Sequence, residues 1–186
     1  MQLRICDAAM DGAFLINMPV LKGHCQTHVT CALKNAKSVI PNAEKRRFHT
    51  LGLHKPIAHL NTVVRWGFIL VDNICGDLDF EEGGNPVTMN RILGCLNPVL
   101  CDGFVCQTMG YGIREVPYIG LAERLGVGSS DLSKAKIIAL NDGVAAGQKS
   151  TQRIAALEAY AAPDAACSAC YGSLIYALNW PESESG

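Results

Sequence analysis

The sequence contains no long apolar run. A helix needs about 20 consecutive apolar residues to cross a bilayer, and no stretch of this 186-residue chain approaches that length. The N-terminal segment QLRICDAAMDG also lacks the uninterrupted apolar region of a cleaved export signal. We therefore predict a cytoplasmic protein that has no membrane partner.

Aromatic residues and surplus charge are also scarce. Aromatics make up 6% of the chain, and the formal net charge is −1. Proteins that bind nucleic acids typically combine a strongly basic surface with aromatic side chains for stacking. The composition therefore argues against nucleic acid as a partner. The apolar fraction of 49% is typical of a globular chain that folds around a core.

Acidic residues are almost missing from one long stretch. Between Gly12 and Val71 there are eight Lys and Arg residues but only one acid, Glu44. The sign then reverses, because five acids and no base occur between Asp72 and Asn90. A basic stretch can hold an anion, and an acidic loop can hold a cation. We expect this asymmetry to matter for binding.

The nine cysteines lack the dense, even spacing of a secreted disulfide framework, which favours reduced thiols or metal ligands. Only Cys167-Ser-Ala-Cys170 has the CxxC spacing, and one such pair supplies half of a metal site. The candidates for further ligands of an iron–sulfur cluster are Cys25, Cys31, Cys101 and Cys106. Their spacing matches no ferredoxin pattern, and small buried thiols are the alternative interpretation.

Short apolar runs alternate with stretches of helical spacing, which predicts an α/β fold with a mixed or mostly parallel open sheet flanked by helices. The predicted strands are residues 13–17, 67–72, 91–96 and 135–140. The predicted helices begin at Thr27 or Thr30 and end near Val39, and then cover about 54–65, 97–109, 117–125, 152–162 and 167–178. The predicted units are an α/β domain at 1–150, a C-terminal helical hairpin packed on it at 151–180, and a disordered tail at 181–186.

Basic and amide side chains gather after the first predicted strand. The loop carries Lys22 and His24, the following helix carries Lys34 and Asn35, and Arg46 comes later in the basic stretch. Free backbone N–H groups at the start of a helix add to basic side chains in binding phosphate or carboxylate. We therefore predict an anion site here. A solvated basic face is the alternative.

The histidines of this region offer proton transfer or metal binding. His24 and His28 would share one face of a helix, a geometry that zinc sites use, and hydrogen-bonded loop imidazoles are the alternative. His49 and His54 lie on either side of a turn at Gly52 and could converge. We predict that His24 or His49 carries a proton or binds a metal.

Two aspartates complete the predicted site. Asp72 ends the second predicted strand, and Asp102 lies in the first turns of the helix that Asn97-Pro98 begins. An open α/β sheet places its ligand crevice at the carboxyl ends of its strands. We therefore predict that Asp72 and Asp102 hold a divalent ion that bridges to the anion.

Several fragments have a distinctive joint spacing. The first are Asn17-Met-Pro19-Val-Leu-Lys22-Gly-His24, Thr30-Cys-Ala-Leu-Lys34-Asn35 and Lys45-Arg-Arg-Phe-His49. The later ones are Val71-Asp72, Glu82-Gly-Gly-Asn-Pro86, Asn97-Pro-Val-Leu-Cys-Asp102 and Met109-Gly110. Together they resemble the signature of the bacterial and archaeal domain-of-unknown-function family numbered 362, over about residues 14–140.

The resemblance implies functional roles for the matched polar positions. These are Lys22, His24, Lys34, Asn35, His49, Asp72 and Asp102. It also implies an association with iron–sulfur proteins, because many relatives carry a ferredoxin-like module that this sequence lacks. Relatives tend to have more chain before residue 13, so a ferredoxin-like partner or a missing segment is expected.

Three functions are consistent with these observations. The first is binding of a small anionic molecule, alone or together with a divalent metal. The sequence does not decide whether this binding leads to catalysis. The second is an iron–sulfur redox protein that uses Cys167 and Cys170. The third is a non-catalytic scaffold whose basic face docks an acidic partner.

Overall fold

The computed structural model of the chain describes residues 2–12, 14–141 and 149–179. The strands are β1 (Ile16–Asn17), β2 (Lys22–His24), β3 (His28–Thr30), β4 (Phe68–Asp77) and β5 (Pro86–Cys95). The helices are α1 (Ala32–Asn35), α2 (Asn42–Thr50), α3 (His54–Leu60), α4 (Pro98–Thr108), α5 (Pro117–Arg124), α6 (Arg153–Glu158) and α7 (Ser168–Asn179). None of these helices is long and apolar enough to cross a bilayer.

The main sheet has three strands in the order β1-β4-β5. β1 pairs with β4 in parallel, and β4 pairs with β5 as a long antiparallel hairpin. The turn of this hairpin is held by the carboxylate of Asp77, which accepts hydrogen bonds from the backbone N–H groups of Asp79, Phe80 and Asn85 at 2.8–3.0 Å. The predicted α/β fold with a mixed sheet is therefore confirmed.

One face of the sheet carries the main core. Along β4 the buried positions Ile69 and Val71 alternate with exposed positions such as Asp72 and Ile74, which is the pattern of a sheet covered on one side. The helices α1, α3, α4 and α5 pack on the buried side, as the shared core cluster shows. Burial of apolar surface on this side is what positions α1 and α4 against each other.

The predicted helix from Thr27 or Thr30 begins later than expected. His28–Thr30 is a strand that forms an antiparallel hairpin with Lys22–His24, and α1 begins only at Ala32. A 3-10 turn extends α1 to Val39, and the helical segment ends before Pro41 as predicted. His24 and His28 therefore face each other across a hairpin, and the helical arrangement proposed for a metal does not form.

The C-terminal helices pack on a second, smaller core. α6 and α7 enclose an apolar cluster with the loop after β2 and the turn after β4, formed by Cys25, Phe80, Ile154 and Ile175. These are the predicted C-terminal helices, and the division of the chain near residue 150 stays a prediction. The disordered tail predicted at 181–186 lies outside the described residues.

The predicted strand at residues 135–140 is wrong. These residues form no strand, and Ile137, Ile138 and Leu140 are 63–92% exposed because no described strand runs beside them. The basic triplet that begins at Lys45 lies in α2, a helix for which the sequence gives no prediction.

Candidate functional site

The site is organised by a close backbone contact at Gly23. A side-chain Cβ at this position would overlap the backbone of Asp79 in the turn that follows β4. Only glycine lets β2 approach the turn this closely. The contact brings the basic side chains of β2 to Glu81, two residues beyond Asp79.

Glu81 is the centre of a basic cluster. Its carboxylate accepts a hydrogen bond from His24 Nε2 at 2.7 Å and pairs with Lys34 Nζ at 3.0 Å and Lys22 Nζ at 3.5 Å. Lys34 is held further by a 3.0 Å hydrogen bond from its Nζ to Thr30 Oγ1. The structure thus brings together three predicted site residues, Lys22, His24 and Lys34, around an acid that was not predicted. We call these four residues the Glu81 cluster.

Burial and charge act in opposite directions within the cluster. Burial lowers the pKa of Lys34 to about 8, opposed by the charge of Glu81 and aided by Lys37 and Lys22. Burial would raise the pKa of Glu81, but the hydrogen bond from His24 and the charge of Lys34 outweigh it and hold that pKa well below its usual value. Glu81 is therefore ionised at neutral pH and is surrounded by more than one ammonium group.

His24 is neutral and has a defined tautomer. The backbone N–H of Gln26 donates to Nδ1 at 3.1 Å, so the proton sits on Nε2, which donates to Glu81. Burial lowers the pKa of His24 to about 4, against the raising effect of Glu81. Both ring nitrogens are engaged, so His24 positions the Glu81 carboxylate and has no nitrogen left for a metal ion.

His49 links α2 to α7. Lys37 Nζ donates to His49 Nε2 at 3.3 Å, which places the proton on Nδ1, and Nδ1 donates to Ser168 Oγ at 2.8 Å. The Ser168 hydroxyl in turn donates to the backbone carbonyl of His49 at 3.1 Å. Burial, together with the charges of Lys37 and Lys34, lowers the pKa of His49 and keeps the ring neutral.

A cavity of about 300 Å³ lies between these two histidines. It is bounded by the loop after β2, by α2, by the β4–β5 turn and by α7. Its polar wall is formed by His24, Gln26, His49, Glu81, Glu82 and Ser173. The lysines do not line the cavity themselves; they contact its wall from behind, through Glu81 and His49.

Two predicted ligand-binding residues, Asn35 and Arg46, and the predicted metal ligand Asp72 lie away from the cavity wall. The side-chain amide of Asn35 donates to Asn17 Oδ1 at 2.7 Å and thereby ties α1 to β1. Arg46 is exposed on α2, and Asp72 is exposed on β4, where its carboxylate accepts from the backbone N–H of Ile74 at 3.0 Å. His54 stacks on Tyr118 and does not converge with His49 on the cavity.

Asp102 occupies a different environment from Asp72. It is fully buried on α4, and its two carboxylate oxygens accept from the backbone N–H of Leu33 at 3.2 and 3.3 Å. Among the described residues, the only group of three or more metal-binding side chains is Cys31, Cys101 and Asp102. The structure therefore does not join Asp72 and Asp102 in one metal site.

Cys167 and Cys170 lie at the start of α7. Their Sγ atoms are 3.4 Å apart. Hydrogen bonds from the backbone and side chain of Cys170 lower the pKa of Cys167. Within the described ranges, no third metal-binding side chain joins this pair. The two thiols are close enough to share a metal ion, and by themselves they supply half of a tetrahedral site.

Glu81 was missed because an acid in a glycine-rich turn resembles an ordinary solvated loop. The available signal was the charge asymmetry, since the base-free acidic stretch directly follows the base-rich stretch. Complementary charges that are separated along a chain indicate a contact in the folded protein, and this contact is the one found at Glu81.

A family model described as "Domain of unknown function (DUF362)" matches residues 1–107 of the chain. The matched range contains the Glu81 cluster, His49, Cys31, Cys101 and Asp102, whereas α5, α6 and α7 follow it. The wall that α7 contributes to the cavity is therefore outside the matched range. No curated protein and no solved structure gives a significant match.

Proposed function

Because the chain belongs to the DUF362 family, whose description assigns no activity, we propose from its geometry that it binds a small anionic molecule in the cavity beside Glu81. The observation that supports this proposal is the convergence of Lys22, Lys34 and Lys37 behind a wall that contains two acids, Glu81 and Glu82. A cavity of about 300 Å³ that is open to solvent on one side suits a small ligand of metabolite size.

The charge balance of the cavity favours an anion. Three ammonium groups face two carboxylates, Glu81 and Glu82, so one positive charge is left over. Burial is the main cause of the lowered pKa values of Lys34 and Lys37, and repulsion adds to it: Lys37 and Lys22 act on Lys34, and Lys45 acts on Lys37. A phosphate or carboxylate in the cavity beside His49 would be attracted by the charge of Lys37, which contacts His49 from behind the wall.

The two histidines take different roles in this proposal. Both histidines are neutral and line the cavity, but Nε2 of His24 donates to the Glu81 carboxylate, whereas Nδ1 of His49 donates to the Ser168 hydroxyl. His49 is therefore the candidate proton carrier for a bound ligand. His24 holds the Glu81 carboxylate in place. The chemical nature of the bound ligand determines whether a reaction follows its binding. The parts proposed for Asn35 and Arg46 stay predictions, since neither lines the cavity.

The test compares two variants with opposite expected effects. Lys37→Met removes a cation and should weaken binding of inorganic phosphate about three- to tenfold, the effect of one partly screened charge of about 1 kcal/mol. Glu81→Gln releases Lys22 and Lys34 from an internal competitor and should strengthen binding by a similar factor. Isothermal titration calorimetry measures both effects.

The control is Lys55→Met, which makes the same substitution at an exposed position on α3. It should bind phosphate like the wild type. Equal affinities for Lys37→Met, Glu81→Gln and the wild type would refute the proposal. So would a lack of stabilisation by every member of a panel of phosphates and carboxylates. Salt-sensitive association with an acidic protein, without small-anion binding, would indicate the scaffold function instead.

A second candidate function is an iron–sulfur redox protein, which the 3.4 Å separation of the Cys167 and Cys170 Sγ atoms favours. Cluster ligation takes four thiolates. A ferredoxin-like partner or further chain would have to supply the other two. Anaerobic purification with iron and sulfide analysis tests it, and a Cys167→Ser/Cys170→Ser double variant that keeps the full iron content would exclude this pair as ligands.

A further inference from the structure

Three buried side chains from different parts of the chain meet between α1 and α4. Cys31 precedes the first residue of α1, while Cys101 and Asp102 are neighbours on α4. One Sγ or carboxylate oxygen from each lies within 4.8 Å of the others. Their exposed fractions are 0%, 4% and 0%, so solvent does not separate them.

A fourth donor lies beside this group. The thiol of Cys95, at the end of β5, lies beside the thiol of Cys101 and donates to the backbone carbonyl of Asn97 at 3.2 Å. Cys95 is only half-buried. It therefore connects the buried group to the surface and offers a path by which an ion could enter.

The spacing suits a small tetrahedral ion. Zinc binds thiolate sulfur at about 2.3 Å and carboxylate oxygen at about 2.0–2.2 Å. The ligand atoms of such a site are therefore about 3.5–3.8 Å apart. The donors of Cys31, Cys101 and Asp102 already lie within 4.8 Å of one another and need only small side-chain rotations to close on an ion. Cys95 lies outside this group, so its thiol has to move closer to become the fourth ligand.

Within the part of the chain that the structure describes, no cationic side chain hydrogen-bonds to Asp102. This residue is fully buried, and the groups that donate to it are neutral: the N–H groups of Ala32 and Leu33 and the Cys31 thiol. A buried carboxylate is normally paired with a cation or bound to a metal. The N–H donors of α1 orient the carboxylate as outer-shell partners do in metal sites.

We propose that Cys31, Cys95, Cys101 and Asp102 form a binding site for a thiophilic divalent cation, for which Zn²⁺ has the matching geometry and ligand preference. Binding replaces the three thiol protons, and the proton of Asp102 in molecules where this residue is protonated, by the ion. This leaves thiolate and carboxylate ligands around the ion and releases the displaced protons to solvent. The ion would tie α1 to α4 and to the end of β5. The site shares no residue with the cavity beside Glu81 and does not depend on the function proposed for it.

The experiment uses the full chain after chelator treatment. One equivalent of Zn²⁺ should bind with release of protons and should raise the melting temperature, whereas Mg²⁺ should do neither. Co²⁺ in place of Zn²⁺ should give thiolate-to-cobalt charge-transfer absorption and the visible bands of tetrahedral coordination. This spectrum identifies sulfur ligands in the unmutated protein, so the test does not depend on any variant folding.

Variants locate the ligands. Cys31→Ala and Cys101→Ala should each weaken Zn²⁺ binding at least tenfold in competition with a chromophoric chelator. Cys106→Ala is the matched control, because Cys106 is also buried on α4 but its thiol bonds to the backbone carbonyl of Tyr111. This control should bind like the wild type.

Three results would overturn the proposal. The first is a wild-type chain that takes up no Zn²⁺ and gives no cobalt spectrum. The second is equal affinity for Zn²⁺ in Cys101→Ala and Cys106→Ala. The third is loss of the bound ion in a Cys167→Ser/Cys170→Ser variant, which would place the ion on the thiol pair of α7 instead.

Discussion

Replacing Lys34 by methionine should change how the stability of the protein depends on pH. Burial lowers the pKa of Lys34 from 10.5 to about 8 in the folded chain, and Glu81 only partly offsets this effect. Between these two values the unfolded chain binds more protons than the folded chain. The free energy of unfolding should therefore rise with pH across this window.

The size of the effect follows from the two pKa values. One pKa unit corresponds to about 1.4 kcal/mol, and between about pH 7 and about pH 9.5 the titration of Lys34 should add about 2 kcal/mol to the free energy of unfolding. The Lys34 side chain is only 5% exposed, so solvent screening reduces this value little. Methionine does not titrate, and the Lys34→Met variant should lack the increase.

Urea unfolding gives the free energy of unfolding of the wild type and of Lys34→Met at both pH values. The effect is the change with pH in the wild type minus the change with pH in the variant. Thiols that titrate in the same range contribute to both proteins and cancel. Lys55→Met is the control, because Lys55 is exposed on α3; its stability should change with pH as that of the wild type does. If the free energies of unfolding of the wild type and of Lys34→Met change by the same amount between the two pH values, then the pKa of Lys34 is not lowered by burial as described above.

Three further predictions concern other parts of the site. His24 has a pKa of about 4 in the folded chain against an ordinary value of 6.5, so stability should fall by about 3 kcal/mol as pH drops across that range, and His24→Gln should lose less in urea titrations. Gly23→Ala should cost about 1–3 kcal/mol because the new Cβ overlaps the backbone of Asp79. By contrast, Gly103→Ala, whose Cβ would lie 3.5 Å from Ser130, should be tolerated in the same assay. Iodoacetamide near pH 7 should modify Cys167, whose pKa is lowered by Cys170, before Cys25, whose pKa burial raises to about 11; equal rates would contradict the assigned environments.

Elements with strong local signals were predicted well. The start of α4 is encoded by Asn97-Pro98, since Asn97 Oδ1 accepts from the backbone N–H groups of Val99 and Leu100 at 3.0 and 3.1 Å. Proline at the first helical position has no N–H to leave unpaired. β4, α5 and the two C-terminal helices were likewise found from apolar spacing and from breakers at their ends.

The wrong predictions share a physical cause. The apolar run at residues 135–140 resembles the run that becomes β4, but a strand forms only where a neighbour satisfies its backbone hydrogen bonds. In the same way, His28–Thr30 became a strand because Lys22–His24 lies beside it. Pairing partners are not visible in a short window of sequence.

The amino-acid sequence by itself determined the segregation of charge, the supply of thiols and the family to which the chain belongs. Only the tertiary structure decided which of these groups meet. Lys34 and Glu81 are 47 residues apart along the chain, and Leu33 and Asp102 are 69 apart. Such contacts follow from the packing of α1 against α4 and from the close approach of β2 to the β4–β5 turn at Gly23. The physical reason is that burying apolar surface fixes the backbone, and the backbone then places the charged and sulfur-containing side chains.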